Sequence, residues 1–272
     1  MASPAAFSAR ARALWRLGLA IAHAGHGLLI ANLLFPWLDR ATRERCIAWW
    51  SGRLFGALGV RIEQQGCFAG GGKLIVANHV SWLDVMAVHA ICPEARFVAM
   101  AEVRQWPWVA RLVDCARTIY LDRGRSRDLY RVVGEVAEAL REGACVAVFP
   151  EGRVSDGTSL LPFHGNLLQS AIASGAPVQP VALRYDDASG AASAAVLFTG
   201  DITLGQSLWR LACAERLVLR MQVLPALARP FEHRRVLARR LRADIALRIE
   251  TTAPATGVRD ADAGMQAPVA AS

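Results

Sequence analysis

In Asn78-His79-Val80-Ser81-Trp82-Leu83-Asp84 a histidine precedes an aspartate by five positions. Imidazole is the usual base near neutral pH. To take a proton from a hydroxyl it needs one free ring nitrogen. A carboxylate on the other nitrogen fixes the tautomer and offsets the charge of the imidazolium that forms. No G-x-S-x-G elbow occurs in the chain, so the hydroxyl to be activated would belong to a substrate. A second loop, Phe149-Pro150-Glu151-Gly152-Arg153, offers a candidate anion site. The bland readings stand beside these: Ser81-x-x-Asp84 also fits a helix capping box, and a histidine at a strand end can be structural. Of the six histidines, only His79 is followed five places later by aspartate; His89 has Glu94 there.

The elements that must position these residues alternate along the chain. Leu74-Ile75-Val76-Ala77 reads as a buried strand ending at the motif, and Ser81 to Ala90 as a helix stopped near Pro93. Val60 to Glu63 alternates like an edge strand. Strands follow at Arg96 to Met100 and Thr118 to Leu121, with a short helix after Trp106-Pro107-Trp108. Leu129, Val132, Val133, Val136, Ala137 and Leu140 form one apolar stripe, which predicts a helix from Ser126 to Glu142 with Gly143 as its stop. Cys145 to Phe149 reads as a covered strand, and Asn166 to Ser174 as a helix. Further strands are expected at Val181 to Leu183, Ala195 to Phe198 and Leu217 to Val223. The alternation predicts an α/β fold with a mixed, largely parallel sheet covered by helices.

Four regions follow: a membrane-associated helical region over 1–58, an α/β domain over 59–228, a basic helix over 229–252, and a disordered tail over 253–272 rich in Ala, Pro, Gly and Asp. Gly18 to Leu38 carries no formal charge and as a helix would extend about 31 Å. Arginines lie on both flanks (Arg10, Arg12, Arg16; Arg40, Arg43, Arg45), so charge counting sets no orientation, and a span or a hairpin in one leaflet both fit. His23 and His26 read as a helix contact. The chain is 54% hydrophobic, has a net charge of +8 and a single lysine, Lys73; its mean hydropathy is +0.27. A basic, apolar chain suits an anionic membrane, and no zinc spacing or RNP motif speaks for nucleic acid. Six cysteines without a C-x-x-C pair fit a reducing, cytoplasm-facing location. Gly70-Gly71-Gly72-Lys73 lacks the rest of a nucleotide-binding loop.

Four ordered blocks over roughly residues 73–185 carry a resemblance: Asn78-His79-x-Ser81-x-x-Asp84, Leu121-Asp122-Arg123, Phe149-Pro150-Glu151-Gly152 and Val178-x-Pro180-Val181-Ala182. The chain resembles the glycerolipid acyltransferase family, which includes 1-acyl-glycerol-3-phosphate acyltransferases and other lysophospholipid acyltransferases. The resemblance implies His79 as base, Asp84 as its orienter, and Arg123 with Glu151 and Gly152 at the acceptor. It also implies an acyl donor of acyl-CoA or acyl carrier protein, a lysolipid acceptor, and no metal or further cofactor. Glu151 alone is a poor phosphate ligand; it is expected to hold Arg123 or Arg153, or to accept from a glycerol hydroxyl. Oxyanion donors are sought among backbone N–H groups near Gly152 or Gly165.

Three positions depart from the common pattern. Met100 stands where many members have lysine, Ala110 replaces a frequent glycine, and Arg153 comes one place earlier than in Glu-Gly-Thr-Arg-Ser. Ser155-Asp156-Gly157 with Leu161-Pro162-Phe163-His164 resembles lyso-ornithine-lipid acyltransferases; His164 itself reads as structural. The leading expectation is acyl transfer to 1-acyl-sn-glycerol-3-phosphate, giving phosphatidic acid, at the cytoplasmic face of the inner membrane. Rival readings are another lysolipid acceptor such as lyso-ornithine lipid, a hydrolase using the same pair on water, and a non-catalytic membrane-binding protein.

Overall fold

The computed structural model describes residues 4–122, 126–157 and 159–252. Its strands are β1 (Val60–Gln65), β2 (Lys73–Ala77), β3 (Arg96–Met100), β4 (Ile119–Leu121), β5 (Cys145–Val148), β6 (Val178–Asp186) and β7 (Leu217–Val223). They form one sheet in the order β1-β7-β6-β2-β5-β3-β4. β6 and β7 run antiparallel and the other neighbours run parallel. β2 lies between β6 and β5, and all five of its residues are buried. That explains its unbroken apolar run: a strand covered on both faces has no side to give to water.

Successive side chains of β2 feed two cores, as strand geometry requires. On one face Ile75 and Ala77 meet Leu83, Ala87 and Val88 of α3 (Leu83–Ile91) and Leu54, Phe55 and Leu58 of α2 (Arg40–Leu58). On the other, Leu74 and Val76 meet Val132, Val136 and Leu140 of α5 (Ser126–Arg141) and Leu237 and Leu241 of α8 (Arg234–Thr252). The sheet domain also carries α4 (Pro107–Cys115), α6 (Gln169–Ser174) and α7 (Leu204–Cys213).

The N-terminal helix α1 (Pro4–Leu29) continues through a wide turn at Ile30–Leu34 and a tight one at Phe35–Trp37, then reverses into α2. Asp39 Oδ1 accepts from Thr42 N at 3.0 Å and starts α2. The two helices are locked by a reciprocal pair: His23 Nε2 donates to Trp50 O at 2.8 Å, and Trp50 Nε1 donates to His23 O at 3.0 Å. Gly27 makes this approach possible, since a Cβ there would lie 2.4 Å from Trp50 Nε1. Arg16 donates to Ala214 O at 2.5 Å and so ties α1 to the end of α7. The stretch Ala9–Trp37 is long and apolar enough to cross a membrane. Leu14, Trp15, Ile21, Leu29, Leu33, Leu34 and Trp37 on it are exposed, Trp37 by 87%.

Several expected boundaries shift. The apolar helix begins before Gly18 and ends nine residues before Leu38, at Leu29, where Asn32 donates back to Leu28 O and Pro36 follows. Ala195 to Phe198 is not a strand. Ser193 Oγ accepts from Ala195 N at 3.2 Å, and Ala194–Val196 closes as one helical turn that buries Val196. The basic helix starts at Arg234, five residues later than expected. The tail, 253–272, lies outside the described residues.

One core side chain makes the fold sensitive to acid. His89, in the last turn of α3, is 2% exposed and meets Phe97 edge-on at 5.0 Å. Burial pushes its pKa from 6.5 down to about 4, against smaller opposing effects of a backbone bond at Pro93 and the charge of Glu94. The folded state therefore binds fewer protons than the unfolded chain between those values. Stability is full above pH 6.5 and falls as the pH drops towards 4. The loss is on the order of 3 kcal/mol. Unfolding of His89→Leu followed from pH 7 to 4 is expected to show a flatter acid decline than the parent by about that amount. Parallel declines would remove His89 as the cause.

Candidate active site

His79 leaves the sheet at the carboxyl end of β2, beside the carboxyl end of β5, the edge where open α/β sheets bind their ligands. Asn78 permits the departure. Its side-chain amide donates to Leu183 O and its Oδ1 accepts from Leu183 N, each at 2.8 Å. β6 thus keeps both backbone hydrogen bonds of Leu183 after the β2 backbone has turned away.

The turn then brings Asp84, in the first turn of α3, back onto the loop. Asp84 Oδ2 accepts from Val80 N at 2.7 Å, Ser81 N at 2.9 Å and His79 Nδ1 at 2.9 Å. One carboxylate therefore holds the loop ahead of α3 and orients the imidazole. Only half of the capping box suggested by the spacing forms: Asp84 reaches back to Ser81 N, but Asp84 N bonds Ser81 O and no side chain caps the helix. A carboxylate only accepts, so Nδ1 carries the proton and Nε2 is the free nitrogen. The imidazole lies flat on Phe149, with centroids 4.0 Å apart and planes 9° from parallel. Phe149 in turn stacks on Phe97 at 5.6 Å. The His79 side chain is 18% exposed, whereas Asp84 is fully buried.

The loop after β5 clamps the His79 backbone from both sides. Glu151 Oε1 accepts from His79 N at 2.8 Å, while Ser155 N and Oγ donate to His79 O at 2.7 and 3.0 Å. Glu151 Oε2 accepts from Leu161 N at 3.0 Å. Among the described residues neither oxygen meets an arginine, Arg153 included, and both accept from backbone amides; Arg123, the other expected partner, lies outside the described residues. Burial raises the Glu151 pKa, and those two amides and the His79 charge oppose the rise. Gly152 is exposed in a left-handed conformation (φ 69°), and its N–H donates to Phe149 O at 3.1 Å. That amide is engaged in the turn, which removes it from the candidate oxyanion donors.

His79 and Phe149 open onto a cavity of about 900 Å³. Its wall is made by α1 and α2 (Ile21, Ala24, Ile47, Trp50), by α3 (Val85, Met86), and by Met100 and α4 (Val109, Leu112, Val113). Gly152, Arg153 and His164 stand on the wall of the same cavity. Arg153 is exposed and has no hydrogen bond or ion pair with a described residue. Met100 is the last residue of β3 and places an apolar side chain where a cation was expected from the family pattern. Arg123 lies outside the described residues. Cys92, Glu94 and Cys145 bring metal-ligand atoms within 4.8 Å of one another, but at the opposite end of the sheet. There Lys73 Nζ, 3.7 Å from Glu94 Oε1, competes for the carboxylate.

Tyr185 was not singled out by the sequence. Its hydroxyl donates to Asp84 Oδ1 at 2.8 Å from the end of β6. The available signal was an aromatic residue with a hydroxyl in the Val178 to Asp186 run, seven places after Val178; nothing local linked it to Asp84, 101 residues away.

A profile of the acyltransferase family matches residues 60–184. The chain is 41% identical over 150 residues to a 1-acyl-sn-glycerol-3-phosphate acyltransferase of Neisseria meningitidis, covering 55% of this chain and 58% of that protein. It is 37% identical over 219 residues to a lyso-ornithine lipid O-acyltransferase of Pseudomonas aeruginosa, covering 80% of this chain and 84% of that protein. The chain thus spans little more than half the length of the first relative and most of the second. In three dimensions it is similar to the 1-acyl-sn-glycerophosphate acyltransferase of Thermotoga maritima. The TM-score is 0.69 at 20% identity, over 90% of this chain and 96% of the other. The structural likeness gives the fold; the family profile and the 37% identity across most of the Pseudomonas relative show that this chain belongs to the acyltransferase family.

Proposed function

We propose that this protein is an O-acyltransferase that moves a fatty acyl group from a thioester to the free hydroxyl of a lysolipid. The observation that carries the proposal is an imidazole with Nδ1 held by Asp84 and Nε2 left free at the wall of a large apolar cavity. His79 Nε2 takes the proton of the acceptor hydroxyl as its oxygen attacks the thioester carbonyl. The imidazolium formed is offset by the buried carboxylate. Collapse of the tetrahedral adduct breaks the carbon–sulfur bond, and the proton passes from Nε2 to the departing thiolate. A thioester is already activated, so the residues need only move one proton and align two lipids.

The cavity volume fits an acyl chain, since lipid pockets are concave and mostly apolar. The donor is acyl-CoA or acyl carrier protein. The acceptor favoured by the Neisseria relative's name is 1-acyl-sn-glycerol-3-phosphate, with Arg153 and Arg123 as its anion ligands. Lyso-ornithine lipid is a second acceptor. It is favoured by the longer match to the Pseudomonas enzyme and by Met100, which leaves that corner of the cavity uncharged. The helical hairpin is the membrane-facing part. Its exposed Trp15 and Trp37 suit a membrane interface, and the use of a thioester donor, made in the cytoplasm, favours the inner membrane with the site turned to the cytoplasm.

Thioester consumption over a panel of lysolipids tests the reading. His79→Ala is expected to lose roughly 10²–10⁴-fold in turnover with lysolipid; near-normal turnover would remove His79 as the base. Release of free fatty acid in place of acylated lipid would make the protein a hydrolase. The two loop residues should separate. Arg153→Ala is expected to raise KM for an anionic acceptor several-fold with the donor KM unchanged. Glu151→Gln is expected to lower kcat for every acceptor alike, because it loosens the His79 backbone. A Glu151→Gln effect confined to acceptor KM would restore Glu151 as an acceptor ligand.

A further inference from the structure

We infer that Tyr185 is a positioning residue of the acyl-transfer site: its hydroxyl shares the charge of Asp84 with the imidazole and thereby sets the pH range in which His79 accepts a proton. The inference rests on the reading of His79 as base and adds a residue to it from a different strand.

Asp84 is fully buried and its two oxygens have different partners. Oδ2 takes the two loop amides and His79 Nδ1. Among the described residues, Oδ1 accepts from the Tyr185 hydroxyl at 2.8 Å. Tyr185 is 2% exposed. Its pKa is raised well above the ordinary 10, by burial first and then by the charge and hydrogen bond of Asp84, so it remains a donor throughout the working range. β6 holds this donor in place by the same stretch of strand that receives Asn78: Leu183 bonds both ends of the Asn78 amide, and Tyr185 is next on that face. The elements around Asp84 thus bring three titratable groups to it: His79 from the loop after β2, Tyr185 from β6 and Glu151 from the loop after β5.

The electrostatic consequence has a sign. A donor on Oδ1 draws negative charge away from Oδ2, the atom that faces the imidazole. Without it, Oδ2 holds more charge, the imidazolium is favoured, and a higher pH is needed before His79 can act as a base. The carboxylate also loses the bond that stops it turning about its Cβ–Cγ axis, so the ring is less well aimed.

Tyr185→Phe keeps the ring that fills the core and removes the hydroxyl. Full-length protein in detergent or lipid is assayed for kcat and KM from pH 5 to 9 with a lysolipid and a thioester donor. The expected result is a kcat lowered roughly tenfold, little change in either KM, and an acid limb of log kcat/KM moved up by about half a pH unit. 3-Fluorotyrosine placed at 185 retains the hydroxyl and makes it a stronger donor. It is expected to move the limb the other way, which keeps the test open if the phenylalanine variant folds poorly. A limb that stays put in both proteins would make Tyr185 a packing residue and overturn the inference. His79→Ala run alongside separates the two levels. An active His79→Ala overturns the base assignment, whereas an inactive His79→Ala with unmoved limbs overturns the Tyr185 role alone.

Discussion

The hydrogen bond between His79 Nδ1 and Asp84 Oδ2 is the interaction on which the rest of the site depends. It is short in sequence, five residues, but long in its requirements. Asp84 must sit in the first turn of a helix, with that turn folded back on the loop that leaves β2. A fully buried carboxylate is costly unless each oxygen is matched. Here four donors match it: two loop amides, the imidazole and a tyrosine hydroxyl. The amides fix the loop, the hydroxyl fixes the carboxylate, and the imidazole is left with one nitrogen to spend on chemistry.

Around that bond the sheet supplies rigidity and the helical hairpin supplies an oily space. β2 is central and covered on both faces, and its neighbours β5 and β6 each contribute a hold on the motif: Glu151 and Ser155 from the loop after one, Leu183 and Tyr185 from the other. The hairpin does not merely lie beside this domain. Ile21, Ala24, Ile47 and Trp50 line the cavity that reaches His79, so the segment with exposed tryptophans is also a wall of the site. On the proposed function, a lipid would pass from an apolar surface to an apolar cavity without its chain crossing water, where each exposed methylene costs about 0.8 kcal/mol.

Much of this is readable in the chain because it is local. A continuous apolar run followed by His and Asp at a fixed interval determines strand, turn and helix start within twelve residues, and the stripe from Leu129 to Leu140 determines α5. The misses have a common physical origin. Glu151 looked like a partner for arginine because charge is what a sequence displays; its amide partners, His79 N and Leu161 N, lie 72 and 10 residues away and carry no side-chain signature. Tyr185 meets Asp84 across 101 residues, through strand pairing that no local pattern encodes. Ala195 to Phe198 has the composition of a strand, but its neighbours are already paired: β6 and β7 hydrogen-bond to each other, and Ser193 turns the segment into a helical turn instead. The apolar helix extends towards the N-terminus past Arg16, because that guanidinium is spent on the carbonyls at the end of α7.

The direct test of the central bond is the tautomer of His79, read by nitrogen-15 NMR of histidine-labelled protein with His79→Gln to assign the signal. At a pH where the ring is neutral, the account predicts a protonated Nδ1, a bare Nε2, and an Nδ1 proton displaced far downfield that disappears in Asp84→Asn. A ring protonated at Nε2, with Nδ1 bare, would contradict it.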